Sequence, residues 1–247
     1  MIDNISSATE HDLPPFPIRA ARKLWRVVLD RAFRQAMWLY LARPQGTFQP
    51  FNDTKQDRYP AIFTFVQSAL GRDSPIKILS YGCSTGEEVF SLHKYFPRAS
   101  IKGIDINAAN IAICRRRLRA APDPGIAFET AASTAAEASS VYDVIFCMAV
   151  LRHSGLGLAG ITRCDPLLRF QDFAQAVADL DRCLKSGGLL VIRHSHFRLS
   201  DAPVGQHFET ILQVPLGTPK PLLFGPDNRL LPDCEYPDAV FRKKPHA

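Results

Sequence analysis

Ser80-Tyr81-Gly82-Cys83-Ser84-Thr85-Gly86-Glu87-Glu88 is the stretch on which the fold turns. Residues 76–80 before it are a short apolar run that predicts a strand, and residues 87–95 after it predict a helix. Between them Gly82 and Gly86 provide the tight turn and the close backbone approach that side chains obstruct. The alternation continues outward: strand 100–106, helix 108–119, strands 126–130 and 141–148, helix 170–184, strand 188–194. Strands separated by helices imply right-handed crossovers and a parallel sheet covered on both faces. Runs 208–214 and 239–243 have no convincing helix between them and are expected to form an antiparallel hairpin at the end of the sheet. The fold class is α/β, with a mostly parallel seven-stranded sheet.

In such a sheet the ligand lies beyond the carboxyl ends of the strands, where strand order reverses. The second strand ends at Asp105, nineteen residues after Gly86, where an acid can hold the hydroxyls of a ribose. A dinucleotide would need GxGxxG, and that pattern is missing; GxxxxGK[ST] is missing too, which excludes a P-loop. Glu87 and Glu88 at the helix start would repel a pyrophosphate but attract an ammonium or sulfonium. Acids in a first turn also offset the helix dipole, worth about 0.3–1 kcal/mol, which explains an acid but not the missing third glycine. S-adenosylmethionine has the required ribose, ammonium and sulfonium, and no phosphate.

These residues resemble the class I S-adenosylmethionine-dependent methyltransferases, and within them the chemotaxis-receptor (CheR-type) branch, over residues 51–197. Gly82-Cys83-Ser84-Thr85-Gly86-Glu87-Glu88 with Ser91-Leu92 is similar to that branch's glycine loop. Asn52-Asp53-Thr54 and Arg58-Tyr59 are similar to its Asn-x-Thr-x-x-x-Arg-aromatic motif. Asp105, followed by Ile106, matches the ribose acid, Phe146-Cys147-Met148-Ala149-Val150-Leu151 the strand beside the adenine and the methyl donor, and Gly187-Gly188-Leu189-Leu190 with His194-Ser195 the last parallel strand. The resemblance implies a Rossmann-like fold, S-adenosylmethionine as cofactor, and Thr54, Arg58, Gly82, Cys83, Gly86, Glu87, Glu88, Asp105, Ile106, Cys147 and Met148 as the residues that bind it. The chain departs from the pattern at Ala149, where the family has Asn, and the join 118–126 is too short for the β insertion used in receptor docking. Cofactor and reaction type therefore transfer, but receptor glutamates as substrate do not.

The 247 residues are 46% apolar, 22% charged and 10% aromatic, which excludes a disordered, collagenous or coiled-coil chain. Residues 18–43 hold seven basic side chains against Asp30 alone, so the net charge of +6 resides there and the remainder is neutral. Trp25, Val28, Leu29, Ala32, Phe33, Ala36, Met37 and Tyr40 recur at helical steps and predict one amphipathic basic helix over 18–43. Residues 43–50 read as a linker and 58–70 as a second helix stopped by Gly71. The expected division is a helical basic cap over 1–70 and the cofactor-binding domain over 71–247. The basic helix is expected to contact the domain, a membrane surface or an acidic protein, and nucleic acid is the weaker reading. Arg115, Arg116, Arg117 and Arg119 end another helix, where cations suit the dipole. Six scattered cysteines without CxxC or zinc spacing, no run of roughly 20 apolar residues and a polar start without a secretory pattern predict a cytoplasmic chain without metal.

The chemistry expected is methyl transfer to oxygen, on a small molecule or a carboxylate. A carboxylate acceptor needs no base, whereas a hydroxyl or amine does. His153, just past the fourth strand, is the candidate base or acceptor-orienting group; Arg58 is a candidate for pairing an acceptor carboxylate. His194 and His196 alternate across the last strand and cannot both face the cleft. Cys83 and Cys147 are expected to pack rather than react. The rival readings are a non-catalytic sensor or scaffold that binds S-adenosylmethionine, and an RNA methyltransferase.

Overall fold

A computed structural model describes residues 30–44, 46–51, 54–157, 160–217 and 221–245. Helices α1 (Arg31–Ala42) and α2 (Pro60–Leu70) precede the alternating unit. It runs β1 (Lys77–Tyr81), α3 (Glu87–Tyr95), β2 (Ser100–Asp105), α4 (Ala108–Ala120), β3 (Ile126–Thr130), β4 (Tyr142–Met148), α5 (Phe170–Cys183), β5 (Leu184–Arg193), β6 (Phe208–Gln213) and β7 (Asp238–Lys243). Among the described residues seven strands form one sheet in the order β3-β2-β1-β4-β5-β7-β6. The first five are parallel, and β7 runs antiparallel to both β5 and β6, as the C-terminal hairpin requires. After β3 the chain returns to the centre and lays β4 beside β1, so strand order reverses between those two strands.

The period of two along each strand sorts the core into two layers. Leu79, Ile145, Cys147, Leu190 and Ile192 face α5, which answers with Phe173, Val177 and Leu180. Ile78, Val144, Phe146, Leu189 and Val191 face the other way, onto Ile62, Phe63 and Val66 of α2, Val89 and Leu92 of α3, and Ile111 and Cys114 of α4. Both faces are covered, which is why the central strands read as nearly continuous apolar runs. Helix α2 thus shares a core with the sheet; Phe63 meets Phe146 edge-on at 5.6 Å.

Three local expectations change. Residues 18–29 lie outside the described residues, and the described helix begins only at Arg31, because Asp30 is extended and its side chain accepts from the Phe33 N–H at 3.0 Å, a cap rather than a mid-helix residue. Residues 43–50 are not a free linker: Phe48 and Pro50 are buried, and a Cβ at Gly46 would lie 2.7 Å from the Ala132 carbonyl. Strand β5 starts at Leu184 rather than 188, with an irregularity opposite Tyr142 and Val144 near Gly187, which takes φ +74°, and it stops at Arg193 because His194 is left-handed.

A buried cluster ties the hairpin to the body. Lys243 on β7 is 4% exposed; its Nζ lies 3.0 Å from Asp181 Oδ1 and donates to the Asp181 and Leu184 carbonyls at 2.6 and 3.2 Å. The other Asp181 oxygen, Oδ2, meets His207 Nδ1 at 2.9 Å.

Candidate active site

Beyond the carboxyl ends of β1, β2, β3 and β4 lies a cleft of about 490 Å³, at the point where strand order reverses. Tyr81, Gly82 and Ser84 form its floor, Asp105, Ile106, Asn107 and Asn110 one wall, Met148, Ala149, Val150, Arg152 and Ser154 the other. Leu39 of α1 and Phe48, Gln49, Pro50 and Phe51 lie over it. A smaller cavity of about 30 Å³ adjoins it through Gly82 and Met148 and is lined by Thr54, Arg58, Tyr59, Cys83 and Glu88.

Asp105 is held by its neighbours before any ligand arrives. Its Oδ2 accepts from the Ser84 N–H at 2.8 Å, and its Oδ1 accepts from the Asn107 N–H at 2.8 Å and from Asn110 Nδ2 at 3.2 Å. A carboxylate offers about four lone-pair sites, so an acceptor position remains on Oδ2. Burial raises the Asp105 pKa, and these three donors pull it back. Asn107 also caps α4, accepting from Ala109 N and Asn110 N, and donates from Nδ2 to the Ala32 carbonyl of α1. Asn107 and Asn110 were not anticipated as site residues, although an Asn just before a helix is a visible cap signal.

Ser84 is the third unanticipated residue. It stands in the left-handed region at φ +52°, and its buried Oγ has no hydrogen-bond partner among the described residues, on the cleft floor beside Asp105. An orphaned hydroxyl beside an anchored acid is the kind of lining a ribose or an amino-acid carboxylate satisfies. Gly82, at φ +74°, brings the loop so near the far wall that a Cβ would lie 2.4 Å from Val150 Cγ2. These features fit an adenosyl cofactor.

The two glutamates separate. Glu88 lines the small cavity, accepts from Ser80 Oγ at 2.7 Å, and is pushed up to about 7 by burial, with Ser80 and the Arg58 charge opposing that rise. Glu87 lines neither cavity. It pairs with Arg117 at 2.7 Å and accepts from Thr85 Oγ1 at 2.6 Å, while Arg117 also donates to the Thr85 carbonyl and lies 4.6 Å over the Phe90 ring. Arg117 at the basic end of α4 therefore buttresses the glycine loop, while Arg115 donates to the Phe128 carbonyl of β3. A cation beside Glu88 favours its ionised form, so cofactor affinity is expected to weaken as pH falls below about 7, approaching tenfold per pH unit. Titration calorimetry across pH 5.5–8.5 (roughly the range in which a group near 7 changes charge) checks this, and Glu88→Gln should flatten the profile.

Thr54 and Arg58 stand at the small cavity, while Asn52 and Asp53 of the same motif lie outside the described residues. Their segment is fastened to α3: the Asp57 N–H donates to Ser91 Oγ at 2.9 Å and Tyr95 Oη to Asp57 Oδ1 at 2.9 Å. Cys83 lines the small cavity and its thiol is raised by a hydrogen bond with Cys114 and then by burial; Cys147 is fully buried beneath the cleft, lines neither cavity and is raised by burial, as packing residues require. Gly86 is also outside the cavities; it caps α3, and a Cβ there would meet Phe90, Cys114 and Phe128 at 3.1–3.3 Å.

His153 does not join the cleft. Arg152 and Ser154 on either side of it line the cleft, but His153 is 4% exposed and lines a second cavity with Tyr40, Thr47 and Leu168, which adjoins the cleft through Leu39, Gly46, Phe48 and Pro50. Its Nδ1 accepts from the Gly155 N–H at 3.1 Å, and burial, Arg43 and His196 push its pKa down to about 4. His196 is buried too, with Nδ1 2.7 Å from the Leu222 carbonyl, and His194 packs 5.8 Å from the Tyr59 ring. No group of three or more metal-ligating side chains occurs among the described residues.

A mostly parallel sheet with an anchored acid after β2, a glycine turn after β1 and no phosphate loop defines a Rossmann-like adenosyl-binding protein. A family model described as a methyltransferase domain matches residues 72–212, more than half of the chain, and the chain belongs to that family, the class I S-adenosylmethionine-dependent methyltransferases. No curated protein matches the sequence. Solved structures overlap it more loosely. Geranyl diphosphate C-methyltransferase from Streptomyces coelicolor A3(2), in complex with S-adenosyl-L-homocysteine, is 18% identical, over 54% of this chain and 44% of that one, at TM-score 0.39. Phosphoethanolamine N-methyltransferase 2 from Haemonchus contortus, in complex with S-adenosyl-L-methionine, is 16% identical over 57% and 29%, at 0.39. A methyltransferase from Aquifex aeolicus is 14% identical over 53% and 62%, at 0.40. The chain spans less than half the length of the first two, and likeness at this level says nothing about the acceptor.

Proposed function

We propose that the protein methylates oxygen, and that the acceptor is the carboxylate of a small molecule. Bound in the cleft, S-adenosylmethionine supplies an electrophilic methyl group on a sulfonium. What the chain contributes is position and dryness: Asp105 and Ser84 for the ribose side, Glu88, Thr54 and Arg58 toward the cationic end, and the layer from Leu39 to Phe51 against water.

The observation that carries the carboxylate is the composition of the larger cleft. Among the described residues its ionisable lining is Tyr81, Asp105 and Arg152. Tyr81 donates its hydroxyl to the Ala132 carbonyl and is pushed well above the usual phenol range by burial, and Asp105, held by three donors, keeps its remaining acceptor position for the ribose. Neither is placed to take a proton, so the acceptor that suits this lining is one already nucleophilic at neutral pH. Arg152 offers such an acceptor a cationic wall. The likeness of the Thr54 and Arg58 motif to the chemotaxis-receptor branch supports the same chemistry, and the join between α4 and β3, with Gly125 N–H turned back onto Asp123 Oδ1, leaves no docking insertion. We read the cap as ending where α2 enters the shared core, its segment from α1 to Phe51 serving as the lid.

Labelled methyl transfer to matched panels of small carboxylic acids, alcohols and amines tests the reading. Base-stable transfer confined to alcohols or amines would contradict it; a product labile to mild alkali, as a methyl ester is, would support it. His153→Gln is expected to leave the pH profile of turnover unchanged, because His153 faces another cavity and is neutral above about pH 4. Loss of the acidic limb of that profile in the variant would restore it as the base.

A further inference from the structure

We propose that the outward stripe of α1 seats the protein on an anionic lipid bilayer. Arg31, Arg34, Trp38 and Leu41 follow one another at steps of three, four and three, which places them on one face of the helix. All four are exposed, and Trp38 at 55% and Leu41 at 72% are the exposed large hydrophobics among the described residues. The opposite face is committed: Ala36 and Leu39 are buried, Leu39 lies over the cleft, and Asn107 Nδ2 holds the Ala32 carbonyl at 3.2 Å. Rotating α1 to hide Trp38 would lift Leu39 from the cleft.

Charge selects the occupant. The net +6 of the chain is carried within the sequence segment 18–43, of whose basic residues Arg31 and Arg34 stand on the stripe. A second copy of the chain would bring the same positive face against itself, since a two-fold contact pairs identical patches. An acidic protein would account for the arginines but leave the exposed Trp38 and Leu41 without a use. An anionic bilayer engages both: indole rings sit at headgroup depth, aliphatic side chains enter the acyl boundary, and guanidinium groups meet phosphates. No helix among the described residues is long and apolar enough to cross a membrane, so the contact is peripheral. The inference is independent of which acceptor the cleft takes.

Sedimentation of the full chain with vesicles of phosphatidylcholine, with and without phosphatidylglycerol, is the test. Binding to the mixed vesicles, weak binding to the neutral ones and release by salt are expected. Arg31→Ala and Arg34→Ala should each weaken it about fivefold. Trp38→Ser with Leu41→Ser should reduce it to the level of neutral vesicles, while circular dichroism and thermal midpoint stay unchanged because both side chains face solvent. Absence of binding to anionic vesicles, or a Trp38→Ser/Leu41→Ser protein that binds as the parent does, would overturn the proposal. So would retention on RNA or polyglutamate, without vesicle binding, that the double substitution leaves intact.

Discussion

Asp105→Asn should weaken binding of S-adenosylmethionine and S-adenosylhomocysteine alike by about ten- to a hundredfold or more, with little loss of fold. Hydrogen bonds to an ionised group contribute about 1.5–3 kcal/mol each, and Asp105 offers its remaining acceptor position into the cleft. The substitution also removes an acceptor from the loop itself. The Ser84 N–H, the Asn107 N–H and Asn110 Nδ2 converge on one carboxylate, so an amide in its place must turn a donor toward at least one donor. That disturbs Ser84, whose unpaired Oγ stands on the same floor. Asp105→Ala should be worse than Asp105→Asn, because it leaves three donors unmatched. Calorimetry at fixed pH measures both, and parental affinity in either variant would remove Asp105 from the site.

Lys243→Met should lower the unfolding free energy by about 3–5 kcal/mol, the usual consequence of removing one partner of a buried ion pair. Lys243 and Asp181 have side-chain exposures of 5% and 11%, and the ammonium lies 3.0 Å from Asp181 Oδ1 as an ion pair while donating to two carbonyls. Methionine fills the space of the stem but leaves Asp181 with His207 alone, and leaves the Leu184 carbonyl, at the start of β5, without that donor. The cluster joins α5, β5 and β7, far along the sheet from the cleft, so the folded fraction should still bind cofactor normally. Urea unfolding compares parent and variant. A change below about 1 kcal/mol would mean that the pair contributes no more than a surface ion pair does. Replacing Lys243 and Asp181 together by apolar residues should cost less than Lys243→Met alone, since no charge is then left buried and unmatched.

The glycine turn after β1, the acid after β2 and the parallel order were legible because each rests on local rules: period-two burial, residues free of Cβ at a turn, and a strand end fixed by its own length. What escaped depends on contacts between distant residues or on direction. Glu87 and Glu88 are adjacent on a helix, about 100° apart, so one cleft cannot receive both. That geometry was available from the sequence; the partner that claims Glu87, Arg117 on α4, was not. His153 was placed correctly along the chain, yet the backbone after β4 sends its ring to a different cavity from its neighbours Arg152 and Ser154. Asn107 and Asn110 were hidden for the opposite reason: an Asn before a helix reads fully as a cap, and its second task of aligning Asp105 appears only when β2 and α4 are brought together. Trp38 and Leu41 fall outside the apolar periodicity of their own helix, and in the structure they face solvent.

The central claim is that the cleft beside Asp105 and Ser84 receives an adenosyl cofactor without phosphate. Parallel calorimetric titrations of the full chain with S-adenosylmethionine, S-adenosylhomocysteine and NAD test it most directly. Micromolar binding of the two adenosyl ligands, lost together in Asp105→Asn and absent for NAD, is the predicted result; binding of NAD, or of none of the three, would contradict it.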